Sequence, residues 1–190
     1  MLEIAQIQSK PKLGNCEYNL QRIESFLGQV SKADLIVLPE LANTGYKFDN
    51  RDHAYSIASE PTCSKYVEFL RDYARDNKVN IVSGYLEKES NELFNSAIFV
   101  KPDGSVGKYR KIHLFMDEKS IFAPGNLGLP IFEIGEYKFG ILICFDYLFP
   151  EIWRIMALKG VDFIVHPSNL ITQNAHKVVP AQAIMNGYYV

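Results

Sequence analysis

The chain has 190 residues, with 20 Lys or Arg against 22 Asp or Glu, and a formal net charge of −2 at neutral pH. This balance excludes nucleic-acid binding that depends on an excess of basic charge, and no apolar run approaches the about 20 residues of a membrane helix. The N-terminal sequence MLEIAQIQSK lacks the basic start and apolar core of a secretory signal. We therefore expect a cytoplasmic protein that binds neither nucleic acid nor membrane.

The cysteines point to chemistry rather than to covalent cross-links. Cys16, Cys63 and Cys144 are odd in number and widely spaced, which fits neither a disulfide framework nor a CxxC metal site. His166 and His176 have no metal-ligand spacing with each other or with Cys144. We accordingly predict free thiols and no bound metal.

The first half of the chain alternates predicted strands and helices. Asn15 or Asn19 can cap a first helix, Thr62 or Ser64 can open a second, and the segment up to about Glu60 between them is expected to be loop apart from one strand. Strands are predicted over residues 2–8, 34–39, 79–86 and 93–100, the last two joined as a hairpin.

The second half continues the same pattern. Strands are predicted over residues 104–111, 131–134, 138–143 and 162–166, and helices over residues 150–160 and 175–186. Hairpins together with helix-linked strands predict an α/β fold with mixed sheets. With no repeat, low-complexity tract or linker, we predict a single domain over residues 1–190.

The end of the sequence is apolar. Natural termini are usually polar and frayed, whereas GYYV at residues 187–190 is typical of the opening of a buried strand. We expect a C-terminal portion to be missing, the alternative being an ordinary short C-terminal strand.

Cys144 is the candidate nucleophile. It ends an apolar run and precedes a helix start in FGILICFDYLFPE, so a sharp turn there would lift the thiol off the sheet, as in the nucleophile elbow of hydrolases. A helix N-terminus also favours the thiolate. The alternative interpretation is a buried structural cysteine. Asp146 and Arg154, just beyond it, are expected to form a structural ion pair or a helix-start contact.

Glu40 and Lys111 are candidate partners of that thiol. Glu40 ends the apolar run DLIVLPE, where desolvation would raise its pKa toward that of a useful general base. In KYRKIHLF, strand alternation separates Lys111 from Arg110, so one of these cations can be held inward, and Glu118 could pair with Lys111. The alternatives are an exposed loop glutamate and a solvated basic face.

Three segments together resemble the catalytic blocks of the nitrilase superfamily, the carbon–nitrogen hydrolases. They are LPELANTGY, KYRKIHLF with Glu118, and ICFDYLFPE, in the family's order, and HPSNL and AQAIMNGYYV resemble later family segments. The resemblance covers essentially the whole chain. It implies an αββα four-layer sandwich, with family members continuing beyond the position of Val190, and a homodimer or higher homo-oligomer.

The same resemblance implies a role for each matching residue. Glu40 would be the general base and later acid, Lys111 the electrostatic stabiliser, Cys144 the nucleophile, and Glu118 a supporting acid. The backbone N–H of Phe145 would help to bind the oxyanion. Two further residues match positions near the substrate pocket, although a packed aromatic and a turn-capping amide explain them equally well: Tyr46 and Asn169.

The function expected is hydrolysis of a non-peptide C–N bond in a small linear amide or N-carbamoyl compound. It would proceed through a cysteine thioester and release ammonia, with no cofactor. A nitrile could follow the same route. Two further interpretations stay open: a catalytically impaired binding or assembly module, and an α/β domain in which Cys144 is structural.

Overall fold

Eight strands form two sheets in the structure, a computed structural model that describes residues 1–190. The first sheet has the order β1-β2-β3-β4-β5, with β1, β2 and β3 parallel and the last two strands added antiparallel. The second sheet has the order β6-β7-β8, with β7 and β8 parallel. The strands are β1 Ile4–Gln6, β2 Leu35–Val37, β3 Asn80–Glu89, β4 Glu92–Val100, β5 Val106–Arg110, β6 Ile131–Ile134, β7 Tyr137–Ile141 and β8 Phe163–Val165.

Six α-helices connect and cover these strands. Side chains of Asn15, Asn50 and Ser64 cap the first three by accepting a hydrogen bond from a backbone N–H in the first turn. None of the helices is long and apolar enough to cross a membrane. The helices are α1 Cys16–Leu27, α2 Arg51–Ile57, α3 Lys65–Asn77, α4 Glu118–Ile121, α5 Pro150–Leu158 and α6 Ala175–Asn186.

Alternate side chains of the first sheet face two different layers. Ile81 of β3 packs in one core with Ile23 of α1 and Leu70 of α3, whereas its neighbour Val82 faces the opposite way. Val82 belongs to a second core, in which the two sheets pack on each other. Buried members of this second core from both sheets are Val82, Phe99, Phe139, Ile141 and Val165.

The second sheet repeats this alternation. Val165 of β8 faces the first sheet, while the adjacent Ile164 packs with Trp153 and Met156 of α5. Helices therefore cover the outer face of each sheet and the inner faces meet, which confirms the predicted α/β class and αββα layering.

Two short helices differ from the sequence predictions. The sequence pattern predicts a loop before Glu60, but Asn50 caps α2 there, and α4 forms one turn beginning at Glu118. Both lie beside the end of the sheets and pack against each other around Leu41, Ala54 and Ile121. Helices this short carry too weak a periodic signal to be recognised from sequence, and contacts with the rest of the fold stabilise them.

Gly84 allows β3 to lie directly against the segment that carries Glu40. A Cβ atom at position 84 would lie 2.4 Å from the carbonyl oxygen of Pro39 and 2.5 Å from the Cα of Glu40. The same approach is held by hydrogen bonds from the Gly84 N–H to the Pro39 oxygen and from the Ala42 N–H to the Gly84 oxygen, at 3.1 and 3.2 Å. Because Gly84 has no side chain, the backbone of Pro39 and Glu40 can pack directly on β3, and this contact fixes the position of Glu40 after β2.

We expect Gly84→Ala to destabilise the protein by about 1–3 kcal/mol, because backbone atoms must separate to accept the methyl group. Urea unfolding measures the change. Gly28→Ala is the matched control, since Gly28 has a helical conformation and room for a Cβ. Equal stability of the two variants would contradict this close approach.

Candidate active site

The candidate catalytic residues converge at one end of the two sheets. Glu40 follows β2, Lys111 immediately follows β5, and Cys144 follows β7 in the other sheet. Asn169 lies beyond β8, which is parallel to β7. Segments that leave the carboxyl ends of several strands, in both sheets, therefore bring together residues from distant parts of the chain.

Lys111 is buried between two carboxylates. Its Nζ lies 2.9 Å from Glu40 Oε1 and 2.9 Å from Glu118 Oε2, and its side chain is 0% exposed. Arg110, one residue earlier, points elsewhere and pairs with the buried Glu87. The alternation that the sequence suggested thus directs the two cations to different sites, and the Lys111–Glu118 pairing is present.

Asn95 is a member of this cluster that sequence reasoning missed. Its Nδ2 donates hydrogen bonds to Glu40 Oε1 at 2.8 Å and to Glu118 Oε1 at 3.0 Å. Tyr46 adds a third donor to Glu118, with its hydroxyl 2.8 Å from Oε1. The sequence did contain a sign of this residue, since an asparagine lies inside the apolar strand LFNSAIFV. A buried amide needs polar partners, so its position indicates a buried polar cluster.

Backbone N–H groups complete the support of the two carboxylates. The Asn169 N–H donates to Glu40 Oε2 at 2.9 Å, and the Phe115 N–H donates to Glu118 Oε2 at 2.6 Å. Asn169 therefore meets Glu40 through its main chain. Each carboxylate is held in one orientation by several donors, which is what a group that must transfer a proton at a fixed position requires.

Cys144 occupies a sharp turn with an unfavourable backbone conformation. Its φ is +43°, in the left-handed region that non-glycine residues rarely adopt, and it begins a short 3-10 turn over Cys144–Leu148. Its N–H donates to the carbonyl oxygen of Pro167 at 3.1 Å, and its Sγ lies 3.7 Å from the carbonyl oxygen of Asn169. This is the strand-to-helix turn that the sequence predicted.

Asp146 holds the turn to a neighbouring loop. Its Oδ2 accepts hydrogen bonds from the Ile143 N–H at 2.9 Å and the Tyr109 hydroxyl at 2.8 Å, while Oδ1 accepts from the His113 N–H at 3.0 Å. The helix-start contact expected of Asp146 is present. An ion pair with Arg154 is not, because Arg154 donates instead to the Met185 carbonyl oxygen.

The charges in the cluster set its protonation. Burial, together with the negative charge of Glu118, raises the pKa of Glu40 despite the adjacent ammonium. Burial alone would lower the pKa of Lys111, but Glu40, the Cys144 sulfur and Glu118 outweigh it and raise that pKa. Lys111 is therefore held as a cation.

Cys144 is a thiol at rest. Burial and the Glu40 carboxylate raise its pKa above the usual range, and only 8% of the residue is exposed. Burial and the charge of Glu40 thus oppose the thiolate that a helix start was expected to favour. A thiol beside a carboxylate of raised pKa can lose its proton to that carboxylate at the moment of reaction.

A cavity of about 590 Å³ opens beside these groups. Glu40, Tyr46, Glu118 and Asn169 line it, and a smaller adjoining cleft, which also borders Tyr46 and Asn169, reaches Cys144. Three further charged side chains line the same cavity: Lys10, Lys47 and Asp117.

The remaining candidates lie outside the site. Cys16 and Cys63 are exposed free thiols that line neither the cavity nor the cleft. No group of three or more His, Cys, Asp or Glu side chains could hold a metal ion. The expectation that no cofactor is needed stays a prediction.

Comparisons with known proteins show the family and the fold of this chain. The model of the carbon–nitrogen hydrolase family matches residues 3–190. A nitrilase of Pyrococcus abyssi is 44% identical over 191 residues, covering 100% of this chain and 73% of the relative, and a citrullinase of Francisella tularensis is 32% identical, covering 79% and 55%. A crystal structure of an amidase from Nesterenkonia sp. superposes with a TM-score of 0.86 at 26% identity, over 100% of this chain and 75% of that one.

We expect Glu40→Gln to lower the pKa of Cys144, because the charge that opposes ionisation of the thiol is removed while Lys111 remains. The pH dependence of Cys144 alkylation, followed by peptide mapping, measures this pKa. Alkylation of the exposed Cys63 provides an internal control. An unchanged or higher pKa in the variant would contradict the arrangement of charges.

Proposed function

Because this chain belongs to the carbon–nitrogen hydrolase family, we propose that it hydrolyses a small linear amide or N-carbamoyl compound through a Cys144 thioester and releases ammonia. The observation that carries this proposal is the convergence of Glu40, Lys111 and Cys144 from three separate segments beside one cavity. A structural cysteine needs neither a paired acid nor a buried ammonium. The coincidence of all three is typical of covalent catalysis.

Acylation begins with a proton transfer. The Glu40 carboxylate accepts the thiol proton of Cys144 as the sulfur attacks the carbonyl carbon, and the carbonyl π electrons move onto oxygen. The oxyanion is bound by the Lys111 ammonium and the Phe145 N–H. Donors of this kind contribute about 3 kcal/mol each in a site that excludes water.

The tetrahedral intermediate then collapses to a thioester. Protonated Glu40 returns its proton to the nitrogen, the C–N bond breaks, and ammonia leaves. Water next attacks the thioester while Glu40 accepts its proton, and the thiol is restored as the acid departs. One carboxyl group thus serves as base and acid in turn, which its raised pKa favours.

The supporting residues keep these groups in position. Glu118 forms the second ion pair of the Lys111 ammonium. Asn95 donates hydrogen bonds from its Nδ2 to both carboxylates, Glu40 and Glu118. Tyr46 orients Glu118 and also lines the cavity. We propose Tyr46 and Asn169 as substrate contacts on the strength of that position.

The cavity favours a substrate that carries a negative charge at the end away from the C–N bond to be cleaved. Lys10 and Lys47 line it and form no ion pair, whereas Glu40 and Glu118 are already paired with Lys111. Asp117 is the one other charged residue on the wall. An amide that carries a carboxylate would place that group near unpaired ammonium groups.

A nitrile is the second candidate substrate. The relative from Pyrococcus abyssi is named a nitrilase, and the same thiol could add to a nitrile carbon to give a thioimidate.

We also propose a homo-oligomer, supported by large exposed apolar side chains on α5 and α6. These are Leu158, Ile184 and Met185. The cytoplasmic location expected from the lack of a secretory signal stays a prediction.

The test is a substrate screen scored by ammonia release. It should compare short amides, N-carbamoyl amines and nitriles, in pairs with and without a terminal carboxylate. We expect turnover of amides or N-carbamoyl compounds, faster for the carboxylate-bearing member of each pair. Activity confined to nitriles would select the second candidate.

Cys144→Ala should abolish this turnover, by at least about 10³-fold, because it removes the sulfur that the Glu40 carboxylate and the Lys111 ammonium act on. Cys63→Ala is the matched control and should keep full activity, since Cys63 is exposed and outside the site. A binding or assembly module would show no turnover with any substrate in the wild-type protein. Unfolding of the Cys144→Ala variant, followed by circular dichroism, would indicate a structural cysteine.

We expect kcat/KM to fall on the acidic side with a midpoint above the usual glutamic acid range. Burial raises the pKa of Glu40, which must be ionised to accept the thiol proton, so activity is present above that pKa and lost as pH falls through it. A pH–rate profile measures the midpoint. Circular dichroism over the same range excludes acid unfolding, and a midpoint at or below the usual range would contradict the base role.

A further inference from the structure

His166 forms an unexplained contact with the backbone of the nucleophile. It is the first residue after β8, and its Nε2 lies 2.9 Å from the carbonyl oxygen of Cys144. The ring is enclosed edge-on by Tyr147 and Trp153, with centroid distances of 6.4 and 6.2 Å. A side chain fixed in this way holds its hydrogen-bond partner in a fixed position.

The contact defines the state of the imidazole. A carbonyl oxygen can only accept, so Nε2 must carry the hydrogen. Burial lowers the pKa of His166, which keeps the ring neutral near pH 7. His166 is thus a neutral donor through Nε2–H. Because this nitrogen is bonded to the Cys144 carbonyl, it does not accept the proton of the Cys144 thiol.

The Cys144 carbonyl belongs to the same peptide unit as the Phe145 N–H. A peptide unit is planar and trans, so fixing the direction of its oxygen fixes the direction of its N–H on the other side. This N–H donates to no side chain and to no loop carbonyl of the protein. It is the donor assigned above to the oxyanion.

The peptide needs such a restraint. Cys144 has a φ of +43°, and a change of this torsion toward the favoured region would swing the following peptide unit and turn the Phe145 N–H away. The Pro167 carbonyl holds the N–H of Cys144, but that bond fixes the preceding peptide unit. A hydrogen bond to the carbonyl also polarises the unit and strengthens its N–H as a donor.

We propose that His166 is a positioning residue, which orients the Cys144–Phe145 peptide so that the Phe145 N–H points at the developing oxyanion. His166 acts through the backbone and touches no reacting atom. The proposal rests on the proposed function, because the oxyanion exists only if Cys144 attacks a carbonyl or related group.

The test compares two replacements of the same residue. His166→Phe keeps a planar ring in the enclosed space and removes the donor, whereas His166→Gln keeps an N–H donor on a flexible chain. We expect His166→Phe to lower kcat by about 10–100-fold with little change in KM, since the oxyanion forms after binding. His166→Gln should recover most of the loss.

The kcat values of both variants are divided by the concentration of Cys144 that can be alkylated, so that a misfolded fraction does not lower them. A merely structural role would lower the melting temperature in both variants and leave kcat per active site unchanged, and that result would overturn the proposal. Equal losses of kcat in the two variants would overturn it as well.

A spectroscopic readout separates this inference from the proposed function. The Phe145 amide resonance should move in His166→Phe and stay near its wild-type position in His166→Gln. If the wild-type protein turns over no substrate, the proposed function fails, while the amide shift still reports whether His166 orients the peptide. An unchanged Phe145 resonance in His166→Phe would overturn the inference.

Discussion

The site depends on burying one ammonium between two carboxylates. Removing an ion from water costs several kcal/mol, and attraction between charges offsets this only when the remaining lone pairs and protons are also satisfied. The fold supplies those partners from separate places: the Asn95 amide, the Tyr46 hydroxyl and two backbone N–H groups. The network therefore connects Asn95 of β4 with the segments that follow β2, β5 and β8.

The formal charge of the cluster controls its chemistry. Two carboxylates and one ammonium leave one negative charge in a buried place, so the next proton is easily accepted, and the pKa of Glu40 is raised accordingly. The same excess keeps Cys144 protonated at rest. A thiolate stabilised by a helix start would need no base, whereas a buried thiol next to an acceptor couples ionisation to the attack itself.

Strain at the nucleophile is balanced by contacts on both sides of the turn. Cys144 adopts a left-handed φ, which costs about 1–3 kcal/mol for a residue with a side chain. Asp146 fixes the turn by accepting the Ile143 N–H, and His166 holds the Cys144 carbonyl. The Asp146 carboxylate also accepts hydrogen bonds from Tyr109 and His113. Asp146 and His166 therefore connect this turn to other parts of the chain, so the geometry of the turn and the packing of the two sheets stabilise each other.

The sequence by itself determined the α/β class and most strands, because hydrophobic periodicity and residue type are local properties, and the resemblance of three segments to one family supplied the candidate reactive residues. The sequence separated Lys111 from Arg110 through strand alternation and located the turn at Cys144. It missed Asn95 and the role of His166, whose meaning depends on partners 55 and 22 positions away. Only the tertiary structure decided that Glu40 and Lys111 are paired, that the thiol is protonated at rest, and that Asp146 contacts His113 and Tyr109 rather than Arg154. Burial and the distance between charges arise when the sheets pack, and no local pattern encodes them.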